Sequence, residues 1–164
     1  MITRLLTITL LAVTVALAGP AWSYDTAMAQ SYAKLFAPVQ GAGAGKALHQ
    51  MKPDAFLNKV KAKEPLLVVD VRTPAETGIY SVILPGSLAV PVSELFTEAS
   101  LARIPTDKTV VIVCLSGTRA TAVGTALRHI GFENVYILKG GFKALTAYLG
   151  PVQANTPLAP APAR

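Results

Sequence analysis

Among the 164 residues of this chain, Cys114 combines a reactive side chain with a setting suited to nucleophilic chemistry. It closes the apolar run Val110-Val111-Ile112-Val113 and is followed by Leu115-Ser116-Gly117-Thr118-Arg119. A short β-branched run of this kind predicts a strand buried on both faces. Beyond the loop, Ala120, Val123, Leu127 and Ile130 recur at the three-and-four spacing of a helix face, and Gly131 supplies a stop. The sulfur is therefore expected at the carboxyl end of a strand, just before a helix begins at or near Arg119. Ligands of open α/β sheets bind at that place. Unpaired backbone N–H groups and the positive end of the helix dipole there stabilise an anion. A loop that wraps from Cys114 into that helix can point several N–H groups at the sulfur and favour the thiolate, which is the nucleophilic form. Gly117 permits the tight turn, and Arg119 adds a charge that does not titrate away.

The cysteine count sharpens this reading. With one Cys the chain can form no internal disulfide and holds no resolving thiol. A lone free cysteine is ordinarily a small buried apolar group, but a strand end, a loop glycine and a helix-opening arginine together outweigh that base case. The two histidines, His49 and His129, have no partner at metal-ligand spacing and are expected on the surface. Asp70 and Arg72 follow another apolar run and are expected to brace the loop as an ion pair. Glu76 reads as a solvated helix residue, and Gly124 as a packing glycine within its helix.

Three elements of strand type position these groups: Leu66–Asp70, Val110–Cys114 and Val135–Leu138. Helices are expected over Pro53–Val60, Arg119–Ile130 and Gly141–Leu149. Alternation of the two types implies an α/β fold with a mostly parallel sheet covered on both faces. The folded part should occupy residues 46–149. Residues 24–45 read as a flexible linker with a short helical turn near Tyr32–Phe36, and residues 150–164 as a Pro/Ala-rich disordered tail. Residues 5–18 carry no charge, follow Arg4 and end at Gly19-Pro20, which describes a secretory signal spanning residues 1–23. An uncleaved membrane anchor is the alternative for that segment, and only it would bring a membrane contact. Either way the domain is expected outside the cytoplasm, in the periplasm or cell envelope. The net charge of +6 has no basic stripe and aromatics reach only 7%, which disfavours nucleic acid as a partner. A modest positive field suits small anionic substrates.

With these motifs in place, the chain resembles the rhodanese-like sulfurtransferase family. Cys114 to Arg119 matches its C-x-x-G-x-R loop, and Val69-Asp70-Val71-Arg72 looks like its D-V-R strand end. Leu84-Pro85-Gly86-Ser87 with Pro91 resembles its I-P-G-A-x-x-x-P stretch. Gly131-Phe132, Val135 and Leu138-Lys139-Gly140-Gly141-Phe142 are similar to its ending. The resemblance implies a three-layer α/β domain in which Cys114 takes a sulfane sulfur from a small anionic donor such as thiosulfate. The persulfide, cradled by Leu115, Ser116, Gly117, Thr118 and Arg119, would pass to cyanide, a small thiol or a protein thiol, with no metal or organic cofactor. Related phosphatases and arsenate reductases carry five residues between Cys and Arg; the four here point to sulfur. Leu115 and Ser116 stand where thiosulfate users often carry a basic residue. Ile83 and Leu145 replace a family His and a family aromatic, and both are expected to pack. The rival from another class is a non-catalytic binding module for a redox or sulfur-metabolism partner at the envelope. The intact Cys-to-Arg loop favours the enzyme, because a binding module has no use for the thiol.

Overall fold

The computed structural model describes residues 23–158. In chain order the elements are α1 (Thr26–Phe36), α2 (Ala44–Ala47), β1 (Gln50–Met51), α3 (Pro53–Lys61), β2 (Leu66–Asp70), α4 (Pro74–Thr77) and β3 (Leu88–Ala89). They continue with α5 (Val92–Leu95), α6 (Glu98–Leu101), β4 (Thr109–Val113), α7 (Thr118–His129), β5 (Val135–Leu138), α8 (Gly141–Tyr148) and α9 (Pro151–Asn155). The strands form one sheet in the order β1-β5-β4-β2-β3, and every pairing is parallel.

Alternation along the central strand divides the core into two layers. Val110 and Ile112 of β4 face α7 and pack with Val69, Leu95, Val123 and Leu127. Val111 and Val113 face the other way, onto Met51, Phe56, Leu138, Phe142 and Leu145 between α3 and α8. A strand with no polar face can be stable only when helices cover both sides, which is why these runs read as continuous apolar stretches. Gly124 brings α7 close to β5, since a Cβ there would stand 2.6 Å from Ile137 Cγ1. The three expected strands and the three expected helices are present to within a residue or so, although Cys114 lies one step past the end of β4.

Both flanking segments depart from expectation. Within residues 24–45, Thr26–Phe36 is helical, capped by the Asp25 carboxylate accepting the Met28 N–H. Tyr32 stacks on His129 of α7 at 3.9 Å between ring centres, and Ser31 Oγ bonds His129 Nε2 at 2.8 Å. The expected turn near Tyr32–Phe36 is the end of this longer helix, whose start is signalled by the Asp25 cap. Within residues 150–164, Pro151 opens α9, and the Lys61 ammonium donates to the carbonyls of Gln153 and Thr156. The segment expected as a signal or anchor lies, apart from Ser23, outside the described residues, as does the end of the expected tail. Among the described residues no helix is long and apolar enough to cross a membrane.

Candidate active site

Cys114 leaves the sheet at the carboxyl end of β4, where Val113 is held by the Val71 N–H donating to its carbonyl at 2.9 Å. The chain then turns through Leu115, Ser116 and Gly117 into α7. Gly117 adopts φ +89°, a left-handed conformation that favours glycine. The Gly117 N–H donates to Cys114 Sγ at 3.2 Å, and the Ala120 N–H donates at 3.4 Å. The cradle is thus built by Gly117 together with Ala120, which lies beyond the expected 115–119 span. The thiol itself is fully buried, while Leu115, Ser116 and Thr118 are exposed around it.

The two loop carbonyls that would oppose an anion are turned aside. Phe142 N–H donates to Cys114 O and Lys143 N–H to Leu115 O, each at 2.9 Å. These donors belong to the first turn of α8, which has unpaired N–H groups to offer. The approach is possible only because residues 140 and 141 are glycines at φ +74° and +59°. The double glycine was read as a family landmark; its role as a clamp on the loop emerges from the fold.

Arg119 keeps its charge beside Cys114 and is anchored there by a second partner. Its guanidinium grips Glu76 of α4 through two bonds of 2.7 Å. Glu76 also closes a capping box with Thr73, accepting the Thr73 N–H at 3.0 Å while Thr73 Oγ1 accepts the Glu76 N–H. The box was legible in Thr73-Pro74-Ala75-Glu76, but the partner 43 residues away was not, and Glu76, a partly exposed helix residue, is also a structural anchor. Arg119, first of all, and then the Thr73 N–H lower the Glu76 pKa to about 2, while the Arg119 pKa is raised, first by Glu76 and lower in order by Cys114. A carboxylate depressed in the folded state stabilises above its unfolded pKa of about 4.3 and loses that contribution as pH falls through the folded value. The Glu76–Arg119 link should therefore be intact from about pH 5 upward and come apart near pH 2. Carbon-13 titration of the Glu76 carboxyl is expected to show a midpoint near 2; a midpoint at the ordinary glutamate value would contradict the pairing.

Asp70 and Arg72 form a buried ion pair. Arg72 Nε and Nη2 donate to the Asp70 carboxylate, the closest contact being 2.7 Å, and Nη2 also donates to the Tyr80 carbonyl at 2.6 Å. The guanidinium carbon lies 4.4 Å from the Tyr80 ring centre and 4.1 Å from that of Phe142, two rings that meet edge to face. It reaches the Cys114 loop through Phe142, whose N–H holds the Cys114 carbonyl. Arg72→Lys keeps the charge but cannot reproduce the planar fork. It is expected to cost about 1.5–3 kcal/mol, the range for a hydrogen bond to a charged group, read as a lower urea midpoint with an unchanged slope.

The remaining candidates lie elsewhere. His49 Nδ1 bonds the Val135 carbonyl at 3.0 Å and its ring stacks on Tyr136, so it is half-buried and its pKa is lowered, chiefly by burial. His129 packs under α1 as described. Leu145 is buried, but Ile83 is 94% exposed and packs against nothing substantial, because it sits in the long connection between α4 and β3. Among the described residues no group of three or more His, Cys, Asp or Glu could hold a metal ion.

Comparison with known proteins bears on the family and the fold. Residues 52–148 match the rhodanese-like domain model. A sulfurtransferase of Allochromatium vinosum is 30% identical over 107 residues, covering 65% of this chain and 96% of that protein. A probable adenylyltransferase/sulfurtransferase of Mycobacterium tuberculosis, MoeZ, is 33% identical over 86 residues, 52% of this chain. The match spans 21% of that protein's length. The crystal structure of a rhodanese-related protein from Thermoplasma volcanium superposes with a TM-score of 0.51 at 25% identity, covering 60% of this chain and 91% of that one.

Proposed function

The chain belongs to the rhodanese-like family, and we propose that it moves a sulfane sulfur from a small anionic donor such as thiosulfate to a thiophilic acceptor through a Cys114 persulfide. The observation that carries this reading is the Cys114 sulfur at the carboxyl end of β4, receiving the N–H groups of Gly117 and Ala120 at the head of a twelve-residue helix. Such a setting stabilises a sulfur anion both before and after transfer, by the logic of an oxyanion hole.

In the first step the Cys114 thiolate attacks the outer sulfur of thiosulfate. A sulfur–sulfur bond forms to Cys114, the bond to the sulfonate breaks, and sulfite leaves with that electron pair. In the second step the acceptor attacks the outer sulfur of the persulfide. The new bond forms on the acceptor, and Cys114 recovers its thiolate. Cyanide would leave as thiocyanate, and a thiolate would leave as a persulfide. The four residues between Cys114 and Arg119 support sulfur over phosphate or arsenate. The apolar run at residues 5–18 supports placement in the periplasm or cell envelope, and fractionation of cells that produce the full chain tests this.

The enzymatic reading is tested by intact mass. The purified protein incubated with thiosulfate or mercaptopyruvate should gain the mass of one sulfur atom, and cyanide should remove it. A protein that stays unmodified with every donor overturns the proposal and leaves a binding module as the better reading.

A further inference from the structure

Beside the Cys114 loop, cations outnumber acids: Lys52 and Lys139 share a cleft with the single carboxylate Asp54. Lys139 directly follows β5, the neighbour of β4, and Lys52 directly follows β1, the neighbour of β5. The Lys139 N–H donates to the Met51 carbonyl at 2.8 Å, which sets these two lysines side by side at the carboxyl edge of the sheet. Neighbouring strands lie about 4.8 Å apart, so Lys139 starts one strand and Lys52 two strands from Cys114. Lys143, whose N–H holds Leu115 O, is exposed on the same rim. Among the described residues none of these three lysines has a carboxylate within ion-pair distance. Across the loop, Glu76 is paired with Arg119, and Asp54 is the one carboxylate among the cleft's lining residues.

A cleft of about 590 Å³ opens between Lys52, Asp54, Lys139, Gly140 and Tyr148. It shares Lys52, Asp54 and Lys139 with a neighbouring cleft of about 600 Å³ that also carries Lys46 and His49. Gly140 joins the cleft to the active-site loop, since a Cβ on Gly117 would stand 3.1 Å from the Gly140 nitrogen. A lone inorganic anion needs only a fraction of this length. Two adjacent open clefts beside the sulfur loop, with Lys46, Lys52 and Lys139 outside the ion pairs of the described residues, fit an extended chain that bears several negative charges.

We propose that this lysine cleft seats an acidic peptide segment flanking the thiol that accepts sulfur from Cys114. The inference rests on the function proposed above and names the acceptor as a protein with Asp or Glu beside its receiving cysteine. In the transfer itself the acceptor thiolate attacks the outer sulfur, the bond to Cys114 breaks, and Cys114 leaves as thiolate. The lysines take no part in bond making; they raise the local concentration of the acidic segment and set its direction.

The test has two arms, both on the full-length protein. In the first, a fluorescein-labelled, thiol-free Asp/Glu-rich peptide is titrated against the protein by anisotropy, beside its Asn/Gln counterpart. The acidic peptide is expected to bind roughly tenfold more tightly and to weaken as salt rises. The double variant Lys52→Gln/Lys139→Gln should lose this preference, and Lys34→Gln on α1 should keep it. Equal binding of both peptides, or an undiminished preference in the double variant, overturns the proposal. In the second arm, persulfide-loaded protein is offered cysteine peptides with acidic or amide flanks. The ratio of transfer rates should favour the acidic peptide roughly tenfold and fall toward one in the double variant. A ratio near one in the unmodified protein refutes the acceptor assignment even if the acidic peptide binds. A protein that takes up no sulfur from any donor defeats the function proposed above and with it the acceptor role, while the anisotropy arm still decides whether the cleft holds an acidic peptide.

Discussion

Replacing Cys114 by serine is expected to abolish sulfur uptake: after incubation with thiosulfate the variant should show no added sulfur under conditions that load the unmodified protein fully. The sulfur anion is the attacking group, and a serine hydroxyl in the same cradle is neutral at neutral pH and forms no persulfide. The Gly117 and Ala120 N–H groups that converge on Sγ then have no reacting anion to stabilise. Two variants separate chemistry from folding. Cys114 lies in the apolar cluster with Val69, Ile112 and Ala120, so a serine there buries a hydroxyl whose proton has no acceptor in that cluster. That burial costs about 1–3 kcal/mol. Cys114→Ala buries no polar group and should fold with less loss. Both should be inactive, so an Ala variant that folds well and still gains sulfur would refute Cys114 as the carrier.

Gly141→Ala should be nearly as damaging, although residue 141 performs no chemistry. An added Cβ would stand 2.2 Å from the Cys114 carbonyl oxygen, 2.7 Å from the Gly117 nitrogen and 2.8 Å from the Leu115 carbonyl carbon. All three are backbone atoms of the loop, so no side-chain rotation relieves the clash. Residue 141 also sits at φ +59°, where a non-glycine residue costs about 1–2 kcal/mol. Overpacking adds about 1–3 kcal/mol, which gives a total of about 2–5 kcal/mol. The loop can escape only by moving off α8, which breaks the bonds from Phe142 N–H and Lys143 N–H to the Cys114 and Leu115 carbonyls. Those carbonyls would then be free to turn toward the sulfur. The expected result is a lower urea midpoint together with sulfur uptake slowed more than the fraction unfolded accounts for. A variant with normal stability and normal uptake would show that the loop does not depend on this contact.

Gly124→Ala makes a useful contrast. Its Cβ would meet Ile137 Cγ1 at 2.6 Å, which is a side chain able to shift. The cost of about 1–3 kcal/mol from overpacking is partly offset by about 1 kcal/mol of helix propensity. Stability should fall modestly, and the sulfur loop, on the other side of Gly117, should work at its normal rate per folded molecule.

Local pattern determined much of this protein. The apolar runs at residues 66–70 and 110–113 and the period of α7 place a strand, a turn and a helix around Cys114, because each pattern is set by neighbours a few residues apart. The parallel sheet followed from alternation of the element types, and the Cys-to-Arg loop and the glycine motifs carried the family resemblance. Tertiary structure decided the rest, because those features depend on partners far apart along the chain. β1 and β3 have two residues each and exist only through pairing with β5 and β2, so no period of their own announced them. Asp25 and Tyr32 hint at α1, but its place beside the domain came from His129, 97 residues beyond Tyr32. Arg119 beside Cys114 suggested a fixed charge near the sulfur; folding adds Glu76, 43 residues earlier, as the partner that anchors it. Most consequential is the Gly140-Gly141 pair. The sequence shows two glycines, whereas the need for them arises where the start of α8 meets the Cys114 and Leu115 carbonyls and leaves the loop N–H groups to the sulfur.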